Sequence, residues 1–204
     1  MNLGLKELIE QFLKQSEADS EFELYNEAGL QHELALFLRN RFAGTNYRLQ
    51  LERNVVDLGI PLQSNAFYKS EMDIYIYERG GDERYCIELK SPTHGAIPRR
   101  MYQTFEDIKF LEDLKFKAMF VRVALIFITP QQGFREAPEK EGIYRYFREE
   151  MHICQPNDSE IPDFIRNHKN RKGEPVYRPL GIRGDYPFQW KNFRHQYHYF
   201  VIAF

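Results

Sequence analysis

The chain has 204 residues, of which 43% are hydrophobic and 28% are charged, and its formal net charge is −2. This composition predicts one globular domain over residues 1–204. It excludes a membrane-spanning helix, because no apolar run approaches the roughly 20 residues that such a helix requires, and the acidic amino-terminal segment does not match a secretory signal. We therefore expect a soluble cytoplasmic protein. Two cysteines, Cys86 and Cys154, are too few and too scattered for a disulfide framework or a zinc site.

The charge is unevenly distributed. Residues 1–33 hold eight acids against two lysines, a net −6, whereas residues 161–204 hold eight basic residues against three acids, a net +5. Nucleic-acid phosphates require a local patch of Lys and Arg rather than a basic protein. Two stretches are candidates for substrate binding, although a solvated surface explains either stretch equally well. The candidates are Arg99 and Arg100, and Lys169, Arg171 and Lys172 in the loop 166–173.

The first strong helical pattern covers residues 24–42. Its apolar positions recur every three or four residues and are Leu30, Leu34, Phe37, Leu38 and Phe42. Glu27 projects near the middle of this stripe and Glu33 lies on its flank. Because an acid on an apolar face needs a partner, we favour Glu27 as a functional acid, with Asn26 as a candidate helix cap.

Three strands are predicted next. Residues 47–51 alternate between apolar and polar side chains, and residues 74–77 and 84–89 are short runs rich in β-branched and aromatic residues. The polar segment 78–83 between the last two contains Gly80-Gly81, which predicts a hairpin turn. We therefore expect an antiparallel hairpin.

Three charged residues lie at the open end of this hairpin. Side chains alternate along a strand, so Glu88 and Lys90 share one face, and antiparallel pairing can bring Asp73 opposite them. Mg²⁺ binds through one or two carboxylates plus phosphate oxygens, which suits Asp73 and Glu88, and Mn²⁺ is a candidate substitute. Lys90 could orient the nucleophile, stabilise the transition state as a point charge, or accept a proton if its pKa falls. This arrangement is typical of metal-dependent phosphodiester hydrolysis.

Asp73 and the E-x-K sequence Glu88-Leu89-Lys90 resemble the PD-(D/E)XK, or restriction endonuclease-like, nuclease superfamily. The N-E-x-x-L-x-x-x-L pattern that starts at Asn26, followed by Leu51-Glu52-Arg53-Asn54, resembles uncharacterised bacterial branches of it. The resemblance implies an α/β fold with an αβββαβ core, in which helices flank a mixed central sheet. It implies a magnesium-dependent nuclease that acts on nucleic acid, with DNA expected, and a metal held by Asp73, Glu88 and the Leu89 carbonyl. Many members pair to cut both strands, so a homodimer is one option.

The resemblance also implies an acid on the first core helix and a glutamine on the second. Glu27 is the favoured acid, with Glu33 and Glu52 as alternatives. Gln103 matches the glutamine, on a helix predicted over residues 98–117 by apolar positions at three- and four-residue steps. The nearly continuous apolar run 121–129 predicts a central strand buried on both faces.

The predicted core thus covers about residues 24–129, and residues 130–204 form a C-terminal elaboration rich in loops. It contains aromatic residues that either stack on bases or, as we favour, pack in a core beneath loops. Residues 197–204 predict a strand that extends the sheet. Two other functions stay open: a catalytically silent nucleic-acid-binding module on a nuclease-like fold, and a protein-interaction domain whose acidic N-terminal helix binds a partner.

Overall fold

A six-stranded mixed sheet with helices on both faces forms the centre of the protein, in a computed structural model that describes residues 4–59, 67, 69–148, 161–167, 169, 173, 177, 179–194 and 196–204. The strands are β1 (Tyr47–Asn54), β2 (Glu71–Glu78), β3 (Arg84–Lys90), β4 (Arg122–Thr129), β5 (Lys191–Phe193) and β6 (Tyr197–Ala203). The helices are α1 (Leu5–Ala18), α2 (Glu27–Arg41), α3 (Ile97–Lys117) and two single turns, α4 (Arg145–Arg148) and α5 (Asp163–Arg166).

The strands follow the order β1-β2-β3-β4-β6-β5 across the sheet. Strands β3 and β4 run parallel, and the other neighbouring strands are antiparallel. Helix α3 makes the crossover that a parallel pair needs. The predicted hairpin is confirmed as β2 and β3, and β4 lies between β3 and β6, which explains why its residues from Val123 onward are buried. Within the described residues, no helix combines the length and apolar character needed to cross a bilayer.

The predicted first helix is confirmed from Glu27 onward, three residues later than the pattern begins. Asn26 lies in extended backbone, and its side-chain Oδ1 accepts a hydrogen bond from the Gly29 N–H at 2.8 Å, so it is the helix cap. The stripe of predicted apolar residues packs against the sheet, with Leu30, Leu34 and Leu38 fully buried. Helix α1 packs on the same face, so the fold uses residues before the predicted core as well.

The opposite face of the sheet packs against α3 and the C-terminal elaboration. The predicted apolar face of α3 is buried there. The C-terminal aromatics belong to this core, as favoured from the sequence: Phe188 is 7% exposed, and its ring stacks on Phe200 of β6 with centroids 4.4 Å apart. Strand β6 pairs with β4 and confirms the predicted terminal strand. The C-terminal third therefore completes the core of the domain.

One buried acid of α3 fastens this C-terminal segment. The Glu112 carboxylate is 1% exposed and accepts hydrogen bonds from the Arg183 N–H at 2.8 Å, the Gly184 N–H at 2.7 Å and the Tyr186 hydroxyl at 3.0 Å. Three donors are what a buried carboxylate needs in place of water. These hydrogen bonds hold residues 183–186 against α3.

We expect Phe200→Ala to lower the free energy of unfolding by about 3–5 kcal/mol, because the ring is fully buried and stacks between Phe127 and Phe188. Phe116→Ala is the control, since that ring is 53% exposed on α3, and it should change the value by about 0.5 kcal/mol or less. Urea titrations followed by the fluorescence of Trp190 measure both. Similar losses in the two variants would contradict the assignment of Phe200 to the core.

Candidate active site

The register of the hairpin brings Asp73 and Glu88 together. Ile74 pairs with Ile87, so the next position along each strand sets Asp73 opposite Glu88. The Leu89 N–H donates to Asp73 Oδ2 at 2.7 Å, and the Asp73 N–H lies 3.4 Å from Glu88 Oε1. Asp73 thus lies opposite the end of β3, as the sequence predicted, and each strand end is also held by the carboxylate of the other.

The predicted alternation along β3 is also present. Cys86 and Glu88 face α3, whereas Ile87 and Leu89 face the core formed with α1 and α2. Glu88 has no exposed surface, and Cys86 is a small buried residue as expected. Lys90 follows on the Glu88 face and reaches α3. The E-x-K sequence thus directs its two charged side chains toward the same helix.

The strand that neighbours Asp73, β1, is irregular opposite that residue. Strand β1 pairs Leu51 with Ile74 and Arg53 with Met72, which leaves Glu52 beside Asp73 with a φ of 50°. Positive φ in a residue other than glycine is uncommon and costs energy. Gln31 of α2 bridges the irregularity, because its Nε2 donates to Glu52 Oε1 at 2.5 Å and to the Asp73 carbonyl at 2.8 Å. The backbone of Asp73 is therefore fixed from two sides.

A lysine that the sequence did not indicate lies among the acids. Lys69, two residues before β2, places its ammonium in a salt bridge with Glu88 Oε2, 3.3 Å from Asp107 Oδ1 and 3.7 Å from Asp73 Oδ1. The same nitrogen lies 5.4 Å from the ring centroid of Phe110. The two predicted metal ligands therefore already share one cation position.

Asp107 of α3 is the second residue that sequence reasoning missed. Its side chain is 5% exposed, and its Oδ2 lies 2.9 Å from Lys90 Nζ, so it binds the lysine of the E-x-K sequence and Lys69 together. One signal was present in the sequence: Asp107 lies on the apolar face of α3, between Thr104 and Leu111, which are both buried. An acid in such a position requires a cationic partner.

Gln103 lies one turn before Asp107 and has a different partner. Its Oε1 accepts a hydrogen bond from Arg100 Nη1 at 3.0 Å. The α3 side chain that contacts the site lysines is Asp107. The role in the site that the resemblance implied for Gln103 therefore stays a prediction.

The three alternative acids have separate partners. Glu27, at the start of α2, accepts a hydrogen bond from the Ser91 N–H at 2.8 Å, directly after Lys90. Glu33 pairs with its neighbour His32 at 3.3 Å, and Glu52 is bound by Gln31 as described above. Glu27 is thus the acid that contacts the end of β3.

Burial sets the protonation of the two paired acids. It raises the pKa of Glu88 well above its usual value, and the Asp73 carboxylate raises it further while the Lys69 ammonium opposes both. Burial also raises the pKa of Asp73, against the Lys69 charge and the hydrogen bond from Leu89. Two acids this close need either a proton or a cation between them.

For the two lysines of the site, burial lowers the pKa and the neighbouring carboxylates raise it. Burial alone lowers the pKa of Lys69, but the neighbouring carboxylates, Glu88 foremost, raise it overall. Burial likewise lowers the pKa of Lys90, and the charges of Asp107 and Glu27 raise it overall. Both lysines therefore carry a positive charge at neutral pH.

A cleft of about 240 Å³ opens beside this cluster. Its walls are Asn26, Glu27, Lys90, Ser91, Pro92, Thr93, His94 and Arg100. The cleft therefore connects solvent to the face on which Lys90 lies. The exposed guanidinium of Arg100 lines this cleft together with Lys90.

The five basic residues predicted to bind substrate lie in different places. Arg100 lines the cleft, and Arg99 lies over a tyrosine ring of the same helix at 6.0 Å. Lys169 is exposed. Arg171 and Lys172 lie outside the described residues. Of the five, Arg100 has the most direct relation to the candidate site.

No family model, curated protein or solved structure matches this chain. The functional conclusion therefore rests on the residues of the site. In the part of the chain that the structure describes, no group of three or more His, Cys, Asp or Glu side chains is arranged to hold a metal ion by itself. Asp73 and Glu88 are the two carboxylates that share the position of the Lys69 ammonium.

We expect Asp107→Asn to lower the pKa of Lys90, because the carboxylate that raises it is gone. At neutral pH a fall of one pKa unit makes Lys90 about tenfold more reactive toward an amine-acylating reagent. Mass spectrometry of the acylated peptides measures this rate. Asp113→Asn is the control: it removes an equally buried acid of α3 that pairs with Lys109, and it should leave Lys90 unchanged. An unchanged Lys90 rate in Asp107→Asn would contradict the pairing.

We expect Glu106→Gln to stabilise the protein increasingly as the pH rises. Burial raises the pKa of Glu106 to about 6, against the charge of Arg99. The folded protein thus holds this proton more tightly than the unfolded chain, and the resulting stabilisation is lost as the pH rises from 4.5 through 6. Glutamine has no such loss, so the variant should gain up to about 2 kcal/mol on the wild type by pH 7.5.

Urea unfolding at a series of pH values measures this difference. Glu33→Gln serves as the control, because the side chain of Glu33 is 45% exposed, and it should change the free energy of unfolding by about 0.5 kcal/mol or less. If the free energy of unfolding of Glu106→Gln differed from that of the wild type by a constant amount at every pH, burial would not shift the pKa of Glu106.

Proposed function

We propose that this protein is a metal-dependent nuclease that hydrolyses phosphodiester bonds of nucleic acid, with DNA as its expected substrate, and that it acts in the cytoplasm. One observation carries the proposal: Asp73 and Glu88 share a single cation position, and Lys90, which is linked to that cation through Asp107, lines an open cleft. Two carboxylates and an adjacent ammonium are the groups that metal-assisted phosphodiester hydrolysis uses.

The order of the elements supports the narrower proposal of a PD-(D/E)XK nuclease. Helix α2, strands β1, β2 and β3, helix α3 and strand β4 follow one another as helix, three strands, helix and strand. The acid lies near the start of β2 and the E-x-K sequence at the end of β3, within that order. The fold and the motif thus agree in position.

The donor set fits Mg²⁺, with Mn²⁺ as a substitute. Asp73, Glu88 and the Leu89 carbonyl would hold the ion, and a cation, the Lys69 ammonium, already lies between the two carboxylates. When bound, such an ion acidifies and orients water and neutralises charge on a phosphate. Since Mg²⁺ commonly uses one or two carboxylates with water and phosphate oxygens, two acids are sufficient.

Lys90 supplies a fixed positive charge in this proposal. Asp107 holds its ammonium at 2.9 Å, and the pKa of Lys90 is raised overall, so the side chain stays protonated. Among the roles open to Lys90, we therefore favour orienting or stabilising the phosphate over accepting a proton. Glu27 positions the strand end through Ser91, and Arg100 attracts phosphate at the rim of the cleft.

A second candidate is a nucleic-acid-binding module without turnover. The observation that favours it is the ion pairing of Lys69, which gives the acids a cationic partner without any added metal ion. Such a module keeps the cleft and Arg100 for phosphate binding. Its binding to nucleic acid would be salt-dependent and insensitive to Asp73→Asn.

Cleavage of supercoiled, linear and single-stranded DNA and of RNA distinguishes the two candidates. With Mg²⁺ or Mn²⁺, we expect the wild type to cut at least one substrate and EDTA to stop it. Asp73→Asn, Glu88→Gln and Lys90→Met should each reduce the rate about 100-fold or more, because each removes a charge at the reacting phosphate.

Two substitutions elsewhere serve as controls for these variants. Asp57→Asn removes an acid that is 59% exposed and pairs with Arg53, and Lys109→Met removes a lysine of similar burial to Lys90. Both should keep the wild-type rate. Salt-dependent binding by the wild type without cutting of any substrate, in either metal, would favour the second candidate.

A further inference from the structure

The ammonium of Lys69 has an unusual environment for a lysine. Its side chain is 30% exposed, yet Nζ contacts the carboxylates of Glu88, Asp107 and Asp73. The aromatic ring of Phe110 lies 5.4 Å away, which adds an attractive contact to the cation. The site therefore holds a cation in place by several contacts at once.

The second lysine of the site does not share these acids. Lys90 pairs with the other oxygen of Asp107, at 2.9 Å, and its charge is further balanced by Glu27. Asp107 thus accepts both lysines, whereas Asp73 and Glu88 have Lys69 as their cation. Among the described residues, Lys69 is the cation that pairs with Asp73 and Glu88, so its displacement removes that balancing charge.

An ammonium and a divalent ion cannot occupy one position. The proposed ligands of the ion, Asp73 and Glu88, are the acids that hold Lys69, and like charges a few ångströms apart in a partly buried site repel strongly. Binding of the ion must therefore move Lys69. Asp107 remains within reach as a partner for the displaced ammonium, because it belongs to α3 rather than to the strands.

We propose that Lys69 is an internal counter-ion that competes with the divalent cation for Asp73 and Glu88 and is released when that cation binds. The inference rests on the proposed function, since it assumes the same cation position. Lys69 thereby has a regulatory role. Its ammonium balances part of the acidic charge while no divalent ion is bound, and the affinity for that ion is low until the ammonium leaves. Phosphate oxygens of a bound nucleic acid add ligands to the ion and favour the exchange.

Calorimetric titration of Mn²⁺ into the protein without nucleic acid tests the competition. Lys69→Met removes the competing charge and keeps an unbranched side chain of similar length, so we expect Mn²⁺ to bind about tenfold more tightly or better than to the wild type. Lys109→Met is the matched control, because Lys109 is a partly buried lysine that pairs with Asp113 of its own helix. Its affinity should equal that of the wild type.

A measurement on the wild type avoids any effect of the substitution on folding. Release of Lys69 from the carboxylates should speed its acylation, so saturating Mn²⁺ should raise the rate at Lys69 several-fold relative to the rate at Lys109. Mass spectrometry of the two peptides gives this ratio. An unchanged or lower ratio with Mn²⁺ bound would overturn the inference.

The titrations separate this inference from the proposed function. Equal Mn²⁺ affinity in the wild type and Lys69→Met would contradict the role proposed for Lys69, but it would leave the proposed cation site standing. No Mn²⁺ binding by any of the three proteins would overturn both. Binding by Lys69→Met that is stronger than that of the wild type, or that the wild type lacks, would support the competition.

Discussion

The fully buried carboxylate of Glu88 is the constraint around which the candidate site is built. It lies between β3 and α3, where water cannot compensate its charge. A buried charge without a partner is strongly destabilising, so cationic groups must come to it. Lys69 does so directly, and Asp107 then keeps Lys69 and Lys90 together on the helix side. The site is thus one connected set of ion pairs joining β3, α3 and the segment before β2.

Helix α3 supports more than the site, because three of its acids are buried and each has a different type of partner. Asp107 pairs with the lysines of the site, and Glu112 binds backbone N–H groups of the C-terminal segment. Asp113 pairs with Lys109 and Lys117 of its own helix. Buried acids on one helix therefore fix the site, the C-terminal segment and the helix itself. Because each buried acid has a partner, the apolar face of α3 can pack against the sheet although the helix carries many charges.

Local patterns predicted most of the elements, because periodicity and turn chemistry depend on neighbouring residues. The hairpin, the buried strand β4 and the apolar face of α3 follow from such patterns, and hairpin pairing alone placed Asp73 opposite Glu88. Boundaries were less accurate where capping decides them, as at Asn26. Lys69 could not be found in this way, since no periodic pattern includes it and only the tertiary structure brings it to the acids. Asp107 was detectable as an acid on an apolar face, but the sequence did not identify its partner.

The local balance of charge is compatible with the proposed nucleic-acid site in a protein with a net charge of −2. At the site, Lys69 and Lys90 balance part of the charge of acids that would otherwise repel phosphate, and Arg100 lines the cleft without belonging to that ion-pair set. Electrostatic attraction acts within about a Debye length, roughly 8–10 Å at moderate salt. A phosphate in the cleft would therefore be affected by the residues that line it, including Glu27, more than by more distant acids of residues 1–33. Net charge describes the whole surface, whereas binding at this cleft depends on which acids already have a cation.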